Sequence, residues 1–448
     1  MNPVEKPPGL GRGLLVLLAF LVVRLGLVAI PATNHQGGLL VDSQLYLSLA
    51  AGLAGQGTYV DSAGQDFIWP AGYPAFIALA SGWSAPNPVA VAFAQLVLTG
   101  AIAVLVVAYT AKVGGRGGAL AAGWIYALLP TAALWALTVM SETLFTALLL
   151  LACLVWVMTI RRDQLLLGAI TGVLLGLAAF VRPIGLSLLS VWAFLAFLAL
   201  RRQRGWKRGL SMSLAIAAGA ALVVVPWSLR NFSVHGRFAF SGVGERTFFN
   251  FNVAQVMAEA EGTTRSQAAG ELGTSGTDLG DSLRIIARYP GLFLEEQGKG
   301  VFRTLLGLEV GSWARLFALP EDVRGGLGVV SSFLEGEPAR ALSRLTRVLA
   351  DPETGPILAV ASLAELFSLL LYGLAAVHLL RGEARGDWGI LLLSWTAVVL
   401  VLLPAAAGQA RFRTPIEPLL VVLAVGGARS LLRKGNRPGP SSADGDPV

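Results

Sequence analysis

Residues 13–30 read "GLLVLLAFLVVRLGLVAI", an apolar run interrupted only by Arg24. A helix that crosses a bilayer needs about 20 mostly apolar residues, and this run comes close to that length. No small-residue cleavage site follows it and the rest of the chain is equally apolar, so we interpret it as a retained first span rather than a signal peptide. Backbone amides cannot stay unpaired in hydrocarbon, so the run must be helical.

The composition extends this interpretation to the whole chain. Of 448 residues, 55% are hydrophobic and 14% are charged, whereas about a quarter of a soluble domain is charged. The sequence therefore predicts an all-α polytopic membrane protein with about ten transmembrane helices. The further predicted spans are 88–111, 117–135, 141–159, 165–181, 186–200, 209–228, 357–380, 388–404 and 414–432.

Basic residues predict the topology of these spans. Clusters such as "RRDQ" (161–164) and "RRQRGWKR" (201–208) follow alternate spans, and such clusters stay cytoplasmic under the positive-inside rule. Both termini are then cytoplasmic, and the two long polar segments, 31–87 and 229–356, lie on the extracytoplasmic side. The net charge of +7 is thus mainly a topology signal and gives no support for binding of nucleic acid.

The same pattern divides the chain into four parts. We expect an N-terminal transmembrane module (1–228) whose first outer loop carries juxtamembrane helices, a mixed extracytoplasmic segment (229–356), C-terminal transmembrane helices (357–432) and a disordered cytoplasmic tail (433–448). The tail is rich in Pro, Gly and Ser, which is typical of disorder.

Few residues could hold a metal. The single cysteine, Cys153, lies inside an apolar run, so a disulfide framework is excluded. The three histidines are far apart in sequence and show no metal-ligand spacing. The residues themselves therefore predict no metal site and no cofactor.

Asp42 is the first candidate for chemistry, because it follows the first span and begins "DSQLY". One interpretation is a helix cap, since Asp accepts backbone N–H bonds there. The other is a general base at the membrane surface, and both functions are compatible. Tyr46, at helical spacing from Asp42, and Tyr73, in "WPAGYP", are candidate substrate contacts. Asp66, before the same Trp-Pro stretch, could supply a second acid.

Arginines on the outer side form a second group of candidates. Positive charge there runs against the topology bias, so it needs a reason: either contact with lipid headgroups or binding of a phosphate, which suits the planar guanidinium. The candidate phosphate-binding residues are Arg182, Arg230, Asn231, Arg411 and Arg413.

Glu142, in "MSETLF", opens a predicted span from the outer side. Ser141 and Glu142 would cap that helix and complement its dipole. Capping is the simpler explanation for Glu142, and contact with substrate is the alternative.

Taken in order, these motifs resemble the GT-C integral-membrane glycosyltransferases. The likeness is to family 39, the protein-mannosyltransferase-like group, with bacterial aminoarabinose transferases as distant relatives. It extends from about residue 40 to 420. The motifs that carry it are "DSQLY" (42–46), "WPAGYPAF" (69–76), "MSETLF" (140–145), "VRP" (181–183), "VPWSLRN" (225–231) and "ARFRTPIEP" (410–418).

The resemblance implies an inverting transfer of a sugar from a polyprenyl-phosphate donor at the outer membrane face. The family's first-loop acid falls on Asp42, which would act as base or orient the acceptor. Many relatives carry a second acid next to it, where this chain has Ser43, so that function passes to Asp66 or to no residue. The outward arginines would surround the donor phosphate. Some relatives bind a divalent cation and others need none.

The acceptor implied by the resemblance is a lipid, a glycan or a protein. Two other functions remain open at this point. A transporter or flippase of a lipid-linked sugar would place ionisable residues at the bilayer midplane, whereas here they lie at the outer rim. A non-catalytic subunit of an envelope-assembly complex would keep the fold and lose the chemistry, which the serine at position 43 leaves open.

Overall fold

A computed structural model describes residues 10–30, 39–61, 69–113, 115–274, 279–317, 332–333, 336–350, 352, 355–381 and 386–435. Every regular element in these ranges is a helix. Asp66 and most of the expected tail, 436–448, lie outside the described residues.

The N-terminal part consists of helices α1 to α10. They span Leu10–Arg24, Val41–Gln56, Gly72–Ala80, Pro88–Val113, Ala119–Ala127, Pro130–Leu137, Glu142–Arg162, Leu165–Val181, Ile184–Arg204 and Trp206–His235. The last of these, α10, continues beyond residue 228, where the sequence suggested that the transmembrane module ends.

Shorter helices, α11 to α17, follow in the segment expected on the outer side. They span Val243–Thr247, Ala254–Glu261, Arg265–Thr274, Leu279–Arg288, Pro290–Leu306, Val310–Leu316 and Pro338–Ala350. The chain ends in three longer helices, α18 to α20, at Gly355–Leu380, Trp388–Leu402 and Glu417–Gly435. Two short 3₁₀ turns, Ala405–Ala407 and Ala410–Arg413, precede α20.

Five of the described helices are long and apolar enough to cross a membrane: α4, α7, α9, α10 and α18. The pair α5 and α6, bent by 52°, would make a sixth if it forms one span. The all-α membrane architecture is as predicted, but the count of about ten spans is not confirmed. One reason is length, because α8 and α19 contain 17 and 15 residues, less than the roughly 20 that a perpendicular span needs.

The helices pack tightly because small residues lie at their contacts. A Cβ added at Gly172 of α8 would collide with the backbone of Ile216 in α10, and one at Gly219 would collide with that of Ala169. Backbones approach this closely only where side chains are absent, as is common between membrane helices. The close packing of α10 against α8 therefore supports α8, the helix that Arg182 follows.

Buried polar contacts join three further helices, α7, α9 and α19, to one another. The indole of Trp156 in α7 donates to the carbonyl of Trp192 in α9 at 3.2 Å. The indole of Trp192 in turn donates to Thr396 Oγ1 in α19 at 2.9 Å. Because a buried N–H without a partner costs free energy, these bonds fix how α7, α9 and α19 are arranged.

Helix α15 of the outer segment is clamped to the turn before α20. Arg303 donates to the carbonyl of Ala406 at 2.9 Å, and the amide N–H of Ala406 donates to Gln297 Oε1 at 3.3 Å. The clamp holds the 3₁₀ turn Ala410–Arg413 against the ends of the membrane helices. That turn carries two of the candidate arginines.

Candidate functional site

Asp42 forms an ion pair with an arginine from the far end of the chain. It lies in the first turn of α2, and its Oδ2 accepts a hydrogen bond from Arg411 Nη1 at 2.8 Å. The residue that caps α2 is Leu40, whose N–H donates to Ser43 Oγ at 3.1 Å. The Asp42 carboxylate is thus an ion-pair partner of Arg411, and the N-cap position of α2 belongs to Leu40. The side chain of Asp42 is 41% exposed, so a small molecule can reach it.

A second ion pair joins Glu142 and Arg182. Glu142 opens α7 and Arg182 follows the last residue of α8, and Arg182 Nη1 lies 2.5 Å from Glu142 Oε1. Arg182 also donates to Ser141 Oγ at 3.2 Å, and the Ser141 hydroxyl makes no capping hydrogen bond to α7. The Glu142 side chain is fully buried, and its Oε2 accepts no hydrogen bond from the described residues.

Phe412 brings the two ion pairs together. The guanidinium carbon of Arg182 lies 5.4 Å from the centre of the Phe412 ring, and that of Arg411 lies 5.3 Å from it. Cations within about 6 Å of an aromatic ring centre are attracted to its face. Burial acts to lower the pKa of Arg411, but the nearby carboxylates of Glu142 and Asp42 outweigh this effect and raise it. The four charged groups therefore form one cluster.

Tyr46 lies at the cluster and Tyr73 lies behind it. Burial raises the pKa of Tyr46, whose electrostatic neighbours are Arg182, Glu142 and Asp42. The ring of Tyr73 meets that of Tyr46 edge-on at 4.9 Å, and its hydroxyl donates to Gln95 Oε1 at 3.1 Å. Tyr73 is fully buried, so it offers no surface to a substrate in this conformation.

Arg413 is an anchor of the turn that carries Arg411. Its Nη1 donates to Glu365 Oε2 at 2.7 Å and to the carbonyl of Leu305 at 2.8 Å, and its Nε lies 3.6 Å from Glu417 Oε1. Only 2% of its side chain is exposed. Because Arg413 is buried and its Nη1 donates to both Glu365 and Leu305, Arg413 fixes the turn and leaves the exposed cluster to Arg411.

Sequence reasoning missed Glu309, the N-cap residue of α16. Its Oε2 accepts from Ser312 Oγ at 2.8 Å. Burial raises the pKa of Glu309, while Ser312, Arg413 and Arg411 oppose that rise. A lone acid in the apolar stretch "LLGLEVGSW" (305–313) was a signal that could have been noticed. Its proximity to Arg411 and Arg413, about one hundred positions further along the chain, could not have been noticed from the sequence.

Arg230 and Asn231 belong to a different cluster. Arg230 packs over the rings of Tyr59 and Trp227, at 5.6 and 5.0 Å, and donates to Asn231 Oδ1 at 3.1 Å. Tyr59 follows the C-terminal end of α2, whereas Asp42 is at its start, and a helix of 16 residues is about 24 Å long. The structure thus brings Arg182 and Arg411 to Asp42, and places Arg230 elsewhere.

Asn231 is held by the backbone. Its amide nitrogen donates to the carbonyl of Ala239 at 2.8 Å, and the side chain is fully buried. This contact fastens the turn after α10. Asn231 therefore has no free surface for a phosphate in this conformation.

The described residues do not fit a metal site. No three His, Cys, Asp or Glu side chains converge among them. Asp42 and Glu142, the acids of the cluster, are each paired with an arginine instead.

Comparison with known protein families and with curated protein sequences finds no match. The fold does match solved structures of an oligosaccharyltransferase from Archaeoglobus fulgidus. Its complex with an inhibitory peptide and a dolichol-phosphate has a TM-score of 0.53 at 14% identity, covering 93% of this chain and 50% of that one. Its complex with Zn and sulfate has a TM-score of 0.52 at 13% identity, covering 93% and 49%.

A third structure, tethered with an acceptor peptide containing the NVT sequon, has a TM-score of 0.52 at 12% identity and covers 93% of this chain. The chain spans about half the length of the protein it matches. At such identities the likeness establishes the fold alone. The chain has the GT-C fold of these enzymes, and together with the apolar helices this fold makes it an integral membrane protein.

Proposed function

We propose that the chain is a membrane glycosyltransferase that moves a sugar from a polyprenyl-phosphate donor to an acceptor on the extracytoplasmic face. The observation that carries this proposal is the half-exposed carboxylate of Asp42, held by Arg411 beside the Arg182–Glu142 pair. The GT-C fold supports it, because the solved relative is an oligosaccharyltransferase whose structures include a dolichol-phosphate and an acceptor peptide.

In the proposed reaction, an acceptor hydroxyl attacks the anomeric carbon of the donor sugar and gives its proton to Asp42. The bond from that carbon to the phosphate oxygen breaks, and the phosphate leaves with the electron pair. Attack opposite the leaving group inverts the anomeric centre. A positioned base contributes about 10²–10⁴-fold to such a rate.

Arg182 and Arg411 would stabilise the charge that develops on the phosphate. Donors fixed before the reaction act most strongly where little water is present. Each guanidinium carries five N–H donors, so an ion pair with one carboxylate leaves donors for a second anion. Glu142 would orient Arg182 through their ion pair. We propose that Glu309 acts on the same cluster from its edge, because Arg411 is among the charges that influence its pKa.

The buried Oε2 of Glu142, which accepts no hydrogen bond from the described residues, also favours binding of a polar ligand at the cluster. A buried oxygen without a hydrogen bond costs about 1–3 kcal/mol. A hydroxyl of a bound sugar or acceptor would supply the missing donor if Arg182 moved to meet the phosphate. Glu142 would then act as a substrate contact, in addition to its ion pair with Arg182.

The test uses the purified chain in liposomes with radiolabelled polyprenyl-phosphate mannose or polyprenyl-phosphate glucose and an envelope extract as acceptor. Release of polyprenyl phosphate is measured. We expect Asp42→Asn to reduce release by about 10²–10⁴-fold while the protein stays folded.

Asp281→Asn is the matched control. Asp281 also pairs with an arginine, Arg284, and is 47% exposed, but it lies in α14, which contributes no residue to the cluster. We expect its release rate to equal that of the unmodified chain. Unimpaired release by Asp42→Asn would refute the base function. Movement of labelled donor across the bilayer without cleavage would instead identify a flippase.

A further inference from the structure

Helix α17, Pro338–Ala350, has two chemically different faces. With about 3.6 residues per turn, Ala341, Leu342, Leu345 and Leu349 fall on one side. The polar side carries arginines and small polar residues, and Arg347 is directly opposite the apolar face. All charged residues within the helix are arginines.

Only part of the apolar face of α17 packs against the protein. Ala341 is 6% exposed and Leu345 joins the buried cluster around Trp313. In contrast, Leu342 is 61% exposed and Leu349 is 58% exposed. Two large leucines on one helix face are thus left uncovered.

An apolar groove continues this uncovered face. It has a volume of about 390 Å³ and lies between α17 and α15, with Phe302 and Leu306 on one wall and Leu342 on the other. Phe333, at its edge, is 62% exposed. The groove and the two leucines form one open apolar surface.

This surface is adjacent to the lipid-facing part of α18. The five positions from Ala350 to Gly355 can bridge at most about 18 Å, so α17 must end close to the start of α18. Outward-facing apolar side chains of α18 begin near Val360, 41% exposed, and Leu363, 64% exposed. Since α18 is long and apolar enough to cross a membrane, these exposed side chains are suited to face lipid. The apolar surface on α17 thus lies close to the start of this band.

The arginines on the opposite face match the chemistry of this boundary. Arg340 pairs with Glu337 at 2.8 Å, and Arg344 donates to Ser332 Oγ at 2.7 Å. Arginine can keep its aliphatic stem against apolar surface while its guanidinium reaches phosphate. A helix with leucines below and arginines above is suited to lie in the headgroup layer.

We infer that α17 is an interfacial helix that docks on the bilayer surface, with Leu342, Leu349 and the adjoining groove among acyl chains and its arginines at lipid phosphates. The occupant is the phospholipid bilayer that surrounds α18. This docking is independent of glycosyl transfer, so either proposal can fail alone.

The test is a nitroxide scan of the full chain in phosphatidylcholine liposomes. Cys153 is buried and free, so Cys153→Ala gives a background for single labels. A label at Leu349→Cys should collide several-fold more with oxygen, which concentrates in lipid, than with a water-soluble nickel chelate. Leu363→Cys, on the lipid-facing side of α18, is the lipid reference, and Ser343→Cys, on the polar face of α17, should show the reverse ratio.

Water-like accessibility at Leu349→Cys, matching that at Ser343→Cys, would overturn the inference. So would shielding from both reagents together with spin–spin broadening, because a second copy would then cover the surface. The arginines are tested by Arg344→Gln combined with Arg347→Gln. We expect this pair to shift the label at residue 349 towards water, and an unchanged depth would refute their contact with phosphate.

Discussion

Glu142 forms its ion pair with Arg182, and Arg411 is a second cation nearby. The Glu142 side chain is fully buried. Removing one member of a buried ion pair leaves the other charge uncompensated, which typically costs about 3–5 kcal/mol. The sequence suggested a capping residue at this position, with contact to substrate as the alternative, because a Ser-Glu pair before an apolar run is a common capping pattern. Only the packing of α8 beside α7 reveals the buried pair.

Arg182→Ala should therefore lower the free energy of unfolding by about 3–5 kcal/mol. Adding Glu142→Gln should restore part of that loss, since the buried charge is then gone. Thermal unfolding of the two single variants and the double variant in detergent measures the coupling.

Arg284→Ala is the control for this cycle. It breaks the exposed pair of Arg284 with Asp281, whose side chains are 82% and 47% exposed. Such pairs contribute about 0–1 kcal/mol. If Arg182→Ala and Arg284→Ala lowered the free energy of unfolding equally, breaking the buried pair would cost no more than breaking the exposed one.

Glu309 should make stability depend on pH. Its pKa is raised from the usual 4.5, so above pH 4.5 the folded chain holds a proton that the unfolded chain has released. Stability is then lost as pH rises from 4.5 through the raised value. Glu309→Gln lacks this loss, so it should be more stable than the unmodified chain at pH 7 and equal to it near pH 4.

Melting temperatures across this pH range measure the effect, with the exposed Glu245→Gln as control. A variant less stable than the unmodified chain at neutral pH would show that Arg411 and Arg413 stabilise the Glu309 carboxylate more than burial destabilises it. The direction of the difference therefore decides between burial and ion pairing.

At the scale of helices, the site is made of helix ends. Asp42 and Glu142 open α2 and α7, Arg182 ends α8, and Arg411 lies in the turn before α20. An acid near a helix N-terminus and a cation near a C-terminus are each favoured by the helix dipole. Their positions along the chain were predictable from the motifs. Which ends meet depends on how the helices pack.

Gly172→Leu should disrupt the contact between α8 and α10. Any Cβ at this position collides with the backbone of Ile216, and a leucine cannot be accommodated without moving a helix. We expect a lower melting temperature and loss of monodisperse protein on gel filtration.

Gly373→Leu is the matched control. Gly373 also lies inside a membrane helix, α18, but nothing lies within 4 Å of a Cβ built there. Its melting temperature should stay close to that of the unmodified chain. If the melting temperature fell equally in both variants, the effect would come from replacing a helical glycine and not from the close contact at Gly172.

At the scale of the whole molecule, the site lies on the side opposite the basic loops. The proposal requires this side to be extracytoplasmic. In a Cys153→Ala background, a membrane-impermeant thiol reagent should label Gly244→Cys in intact cells. It should label Gln203→Cys, in the basic last turn of α9, only after permeabilisation. The reverse pattern would invert the topology and contradict the use of an extracytoplasmic donor.

The sequence by itself determined that this is a helical membrane protein, since apolar runs in a bilayer can satisfy their backbone amides only as helices. The resemblance of its ordered motifs pointed to the GT-C type. The sequence also singled out Asp42, Arg182 and Arg411. The tertiary structure alone decided that these three join Glu142, that Glu309 lies within the electrostatic influence of Arg411, that Arg413 is an anchor and that Arg230 lies elsewhere. The physical reason is distance along the chain: Asp42 and Arg411 are 369 positions apart, and no local pattern records which helix ends will pack together.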